Sequence, residues 1–261
     1  MSRTIFIYLS CCFLSLIAAN KAFANDIVGS VDGMPIYHHA VHNGTDQEVN
    51  PKKPEVKPHT TIATIGSVDC GKTTLTCAIN MVLLKEGLTD RYLSFDTVDS
   101  LPEEKERGIS VQPFTLEYET KKVRYTHIDC PGHEDYLGRT AKAIRHIDGA
   151  IVVVSVDSWG DEDWEAVTER VFKMAKKAKV KKLIIFLNKV DLAGFVDRVD
   201  DQTIAMREAY VRSLLDKYKY SKATPIIRGS ALGALNGVEK WEKGVKYLLD
   251  TCDKWFGGQE H

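Results

Sequence analysis

Four short stretches of this sequence carry residue types at spacings that suit chemistry on a phosphate chain and a base. The first is Gly66-Ser67-Val68-Asp69-Cys70-Gly71-Lys72-Thr73, a G-x-x-x-x-G-K-[ST] pattern followed by Thr74. Its glycines let the backbone turn so that N–H groups from Ser67 to Thr74 face one anion at a helix N-terminus. Lys72 then reaches the β/γ-phosphates and the Thr73 hydroxyl binds Mg²⁺. The second is Asp129-Cys130-Pro131-Gly132-His133. There an Asp at a strand end can hold a metal through water, and Gly132 offers a bare N–H to a γ-phosphate. The third, Asn188-Lys189-Val190-Asp191, ends in a carboxylate able to accept hydrogen bonds from guanine N1–H and its 2-amino group. Adenine lacks that arrangement, and a buried carboxylate left unpaired makes the wrong base costly. The fourth is Gly229-Ser230-Ala231-Leu232, whose backbone can meet the guanine carbonyl. Taken singly, Asp-x-Pro-Gly is a turn and N-K-x-D a common tetrapeptide. Their order along one chain gives them meaning.

The elements around these stretches must place them together. An apolar run, Thr60 to Ile65, precedes the phosphate loop, and Leu75, Ala78, Ile79, Val82 and Leu83 recur at helical spacing over Thr74 to Glu86, with Gly87 as a stop. Val111 to Glu119 and Val123 to Ile128 are β-rich runs around Thr120-Lys121-Lys122, which predicts a hairpin. Ala150 to Val156, Lys182 to Leu187 and Pro225 to Ile227 predict further strands. Glu134 to Arg145, Glu162 to Ala178, Thr203 to Tyr218 and Val238 to Phe256 predict helices, the last with Trp241, Val245, Leu248, Leu249 and Trp255 on its packed face. The alternation implies βαβ crossovers, hence an α/β fold of the P-loop type, a mostly parallel sheet with helices on both faces. Ligand belongs at the carboxyl ends of its strands.

The 261 residues hold 35 basic and 36 acidic side chains, so no global charge favours nucleic acid or an anionic membrane. The amino terminus is different in kind. Arg3, the largely apolar run Ile5 to Ala19 and the A-x-A pattern Ala22-Phe23-Ala24 read as a secretory signal peptide over residues 1–24, with an uncleaved anchor as the other reading. Residues 25–56 lack sustained periodicity and read as a mostly irregular arm. His38, His39 and His42 within it are solvent residues or a metal site, and Asn43-Gly44-Thr45 fits a glycosylation acceptor. Cys70, Cys77, Cys130 and Cys252 of the mature chain look like reduced thiols of a cytosolic fold. Export to the periplasm or medium and a cytoplasmic residence are therefore both on the table.

Together these residues closely resemble the GTP-binding domain of translational GTPases of the elongation factor Tu type, bacterial or organellar. The likeness covers residues 57–256, from Lys57-Pro58-His59 through Pro102 to Ile109 as first switch and Asp129 to Tyr136 as second. It implies GTP or GDP with Mg²⁺, a metal set of Thr73, Ser110 and Asp129, His133 positioning the attacking water, and Val68 and Ile109 flanking that histidine. Departures are visible too. Ser67 and Cys70 replace the family's loop histidines, Glu134 follows His133 where a small residue is usual, and Ser158 to Val167 lacks the Pro-Met-Pro-Gln pattern. Residues 257–261 cannot supply the two β-barrel domains that hold aminoacyl-tRNA, so a monomeric GTPase unit without a tRNA carrier is expected, with ribosome or exchange factor as implied partners and no membrane after signal cleavage. The alternative function is an exported, nucleotide-switched interaction protein with no role in translation.

Overall fold

The structure, a computed structural model, describes residues 30–31, 34–35, 57–94, 98, 112–133, 137–157, 164–195 and 199–257. Two compact units divide the chain, Met1–Glu55 and Val56–His261. In the first, β1 (Ser30–Val31) pairs antiparallel with β2 (Met34–Pro35). Asp32-Gly33 stands between them in the sequence, a dipeptide favoured in two-residue hairpin loops, and this pairing lies within the arm expected to be mostly irregular. The leader, the arm histidines and the glycosylation pattern lie outside the described residues.

The second unit is built on a six-stranded sheet in the order β4-β5-β3-β6-β7-β8. Its strands are β3 (His59–Gly66), β4 (Phe114–Glu119), β5 (Arg124–Asp129), β6 (Gly149–Ser155), β7 (Lys182–Asn188) and β8 (Ile226–Arg228). All neighbours are parallel except β4, which pairs antiparallel with β5 as the hairpin required. The structure departs from the sequence reading at three places. Strand β4 starts at Phe114 rather than Val111, after Pro113, which has no N–H for a ladder. Helix α2 (Leu137–Ala143) ends two residues before Arg145, in a turn, and its expected start at 134 lies outside the described residues. On the last helix, Trp241 and Trp255 pack against the core as expected, though only partly buried, and Cys252 is a core residue that the sequence reading passed over.

The central strands are buried on both faces, and their successive side chains enter two different cores because they face opposite ways. Ile62, Ile151, Val153, Ile184 and Phe186 face α1 (Lys72–Lys85), α5 (Ala231–Leu235) and α6 (Glu239–Trp255). Ala63, Ile65, Val152, Leu183 and Ile185 face α3 (Trp164–Lys177) and α4 (Asp201–Lys217). The outer helices show the matching stripe: Val245, Leu248, Leu249 and Cys252 of α6 are buried at helical spacing. From β3 the chain winds one way to β5 and the other way through β6 to β8, so the end of β3 lies at the point of reversal, where open sheets of this kind hold ligands. Among the described residues no helix is long and apolar enough to cross a membrane.

Candidate nucleotide site

Strand β3 ends at Gly66 and α1 begins at Lys72, so residues 67–71 form the turn between them. Asp69 (φ 57°) and Gly71 (φ 93°) take left-handed backbone there, the conformation by which a loop can turn successive amides toward one anion. Gly71 is required on a second ground, since a Cβ would run into the Asn188 side-chain amide. Ser67 and Val68 are half-buried and Asp69 is exposed, while Cys70 packs into the core with Ile62 and Leu75. Burial pushes the Cys70 thiol up, and its Sγ lies 3.9 Å from Lys72 Nζ while the side chain packs into the core.

Lys72 is 7% exposed, and its Nζ donates to the Ser67 carbonyl at 2.6 Å. Gly132, arriving from β5, lies against the same carbonyl: a Cβ there would sit 2.7 Å from Ser67 O and collide with Lys72 Nζ. Only glycine lets the turn after β5 approach so closely. One turn into the contact, Thr73 Oγ1 donates to Asp129 Oδ2 at 2.9 Å, and Asp129 is buried. The adjoining residues fix that turn, because Cys130 N–H donates to Thr64 O at 3.1 Å and Thr140 Oγ1 donates to the buried Pro131 carbonyl at 3.0 Å. Beneath it, His127 is fully buried, joined to Thr64 Oγ1 at 2.5 Å and to Tyr118 OH at 3.4 Å, and burial pushes its imidazole down to about 4.

A hydroxyl and a carboxylate side by side at a helix N-terminus suit Mg²⁺, a hard cation that takes one or two protein oxygens and completes its shell with phosphate and water. Thr73 and Asp129 are thus brought together as the sequence reading expected. Ser110 and Ile109 lie outside the described residues, as does Glu134. His133 follows Gly132 directly and is partly exposed.

The far end of the site is organised by Asn188, the last residue of β7 and 2% exposed. Its Nδ2 donates to Cys70 O at 2.8 Å and its Oδ1 accepts from Ala231 N–H at 2.9 Å, so one amide ties the phosphate loop to the Ser230–Leu232 segment. Lys189 follows in left-handed backbone (φ 65°), and Asp191, half-buried, sits on a 3₁₀ turn over Val190–Leu192. Val190 N–H donates to Gly229 O at 3.2 Å, and Ser230 caps α5 by accepting from Gly233 N–H at 2.9 Å, leaving Leu232 exposed.

A model of the Elongation factor Tu GTP binding domain matches residues 57–257. The chain belongs to this family. It is accordingly a GTP-binding G domain of GTPase type, with the six-stranded α/β architecture described above. Two features of this elongation factor Tu-type domain escaped the sequence reading. One is the bridging role of Asn188. The other is Asp157, a buried carboxylate just beyond β6 that accepts from Lys189 Nζ at 3.0 Å and from Ser155 Oγ. Around it Trp164 Nε1 donates to Ser155 O at 2.8 Å, and the Arg207 guanidinium lies 4.8 Å over the Trp164 ring while donating to Val156 O. No motif marks Asp157. A signal was available in its position, since an acidic residue just past the carboxyl end of the mostly apolar run Ala150 to Val156 is out of place unless a cation meets it.

Proposed function

We propose that this G domain binds GTP with Mg²⁺ and hydrolyses it to GDP and phosphate. The observation that carries the proposal is the junction of three segments at one point, with Lys72 on the Ser67 carbonyl, Gly132 pressed against both, and Thr73 bonded to Asp129. Amides of Ser67 to Thr74 and the Lys72 ammonium stabilise charge on the phosphates, which is most of what phosphoryl transfer asks of a protein. Thr73, Asp129 and Ser110 would hold Mg²⁺, which, when bound, neutralises charge shared between the β- and γ-oxygens. His133 orients the attacking water. Asn188, Lys189, Val190 and Asp191 take the base together with Ser230, Ala231 and Leu232, and Asp191 sets the preference for guanine. Competition binding of the full chain tests the reading: GTP and GDP should displace a fluorescent guanine nucleotide with ATP ineffective, and chelation of Mg²⁺ should weaken GTP. Equal displacement by ATP overturns the base assignment.

The leader pattern of residues 1–24 favours a second reading of where this happens. We propose export with a mature chain beginning at Asn25, the domain then acting as a nucleotide-switched interaction protein. In support of a cytoplasmic residence stand Cys70, Cys77, Cys130 and Cys252, all buried and none in a disulfide. Amino-terminal sequencing from the native cell decides: Asn25 supports export, and an intact Met1 in the cytosolic fraction defeats it.

A further inference from the structure

The end of the sheet away from the nucleotide site carries a charge concentration that the domain's balanced composition conceals. Between Val171 and Lys182 the chain holds Lys173, Lys176, Lys177, Lys179, Lys181 and Lys182 and no acidic residue. All six lie on the last turns of α3, on the link into β7 or at its first residue, and all but the half-buried Lys182 are exposed. A second run, Lys217, Lys219 and Lys222, leaves the end of the neighbouring helix α4, and these three are exposed as well. The two runs adjoin: Lys176 Nζ lies 5.2 Å over the Tyr220 ring, and Lys217 reaches back 2.5 Å to Glu169 of α3. Among the described residues that last contact is the one ion pair to an acid made by these nine lysines.

Helix ends attract a lysine or two through the macrodipole, but the backbone shows that more is at work. Four helices of this domain end in the same motif, in which the third residue past the helix bonds back to the carbonyl five residues before it. In α1 and α5 the left-handed position is glycine, Gly87 (φ 68°) and Gly237 (φ 78°). In α3 and α4 it is Lys179 (φ 62°) and Lys219 (φ 59°), with Val180 N–H on Ala175 O at 3.1 Å and Tyr220 N–H on Leu215 O at 2.8 Å. A lysine in that region is strained where a glycine is not. The same chain uses glycine for this job twice, so at these two positions within the lysine runs the charge outweighs the conformation.

We propose that this face, formed by the ends of α3 and α4, binds the phosphate backbone of a nucleic acid. Lysines act there as point charges on phosphates, needing no sequence and no base contact. A membrane surface fits less well, since the large exposed apolar side chains among the described residues, Tyr92, Phe195, Met206, Leu232, Val238 and Tyr247, all lie outside the two runs, and lasting peripheral attachment draws on apolar insertion as well as charge. Because β7 runs roughly 20 Å from Lys182 to Asn188, the face is separate from the nucleotide site and the inference stands independently of the GTPase reading.

The test measures anisotropy of labelled 20-base-pair RNA and DNA duplexes with the full chain across a salt series, beside sedimentation with phosphatidylserine vesicles. About six neutralised phosphates give a log–log salt slope near −5. In the variant carrying Lys179→Gly and Lys219→Gly, the slope should shrink by about 2 and low-salt affinity should fall about tenfold, while the melting temperature stays level or rises because glycine relieves both left-handed positions. Tighter binding of the RNA than the DNA duplex identifies RNA as the source of the phosphates, and the reverse identifies DNA. Failure of wild-type protein to bind either duplex at low salt, an unchanged slope in the double variant, or binding to vesicles alone would each overturn the proposal.

Discussion

His133 and Lys72 meet at one junction but should fail differently when removed. Lys72 Nζ already makes a hydrogen bond to the loop it would share with phosphate, so its ammonium acts on ground state and transition state alike. Lys72→Ala should therefore weaken GTP binding. His133→Ala should leave affinity nearly unchanged and slow single-turnover hydrolysis of pre-bound GTP by about 10²-fold, the scale of a positioned catalytic group. Equal rates with and without the imidazole, alone and with ribosomes, would make the chain a binding switch. At the base end, Asp191→Asn exchanges an acceptor for a donor, and competition binding should show preference moving from guanine to xanthine nucleotides. These residues were legible in the sequence because each motif is local, eight positions or fewer, and the order of the motifs along the chain gave them meaning. Asn188 as a bridge was not. Its partners Cys70 and Ala231 lie 118 and 43 residues away, and only the parallel pairing of strands brings them to one amide.

Elements were legible where period and punctuation agree, as in α1, which runs from the loop's Gly-Lys to the left-handed Gly87. They were less legible where a neighbour decides. Gly149 opens β6 with no turn or bulge to require it. The reason lies beyond α6, where the Phe256 ring occupies the space a Cβ would need. Gly149→Ala should cost about 1–3 kcal/mol by overpacking, and Phe256→Ala about 3–5 kcal/mol by leaving a cavity. Because both act on one contact, urea unfolding of the double variant should show a loss smaller than the sum. Strict additivity would mean the ring moves aside freely and the close approach is incidental.

At the scale of the molecule, the sheet holds an uncharged histidine under the site. The unfolded imidazole takes a proton near its ordinary 6.5, whereas burial keeps His127 neutral down to about 4. The folded state thus binds fewer protons between those values, and stability falls as pH drops through that window, by on the order of 3 kcal/mol in full. Unfolding free energies at pH 7.5 and 5 should differ more for wild type than for His127→Gln; an equal difference would place the acid sensitivity elsewhere. The overall class, a mostly parallel sheet covered on both faces, was readable from alternation alone. Strand order was not, because nothing in the runs themselves says that β3 takes β5 on one side and β6 on the other.

Asn188 also makes two chemically remote fragments partners. A nucleoside without phosphates would order the Ser230 segment, and pyrophosphate without a base would order the Cys70 loop, yet the same amide holds both. Whichever arrives first has already met part of the ordering cost of the other, so guanosine and pyrophosphate should bind with positive cooperativity, each raising the affinity of the other by the same factor. Calorimetric titration of one in the presence of the other measures that factor. Asn188→Ala, which cuts both bonds at once, should return it to one.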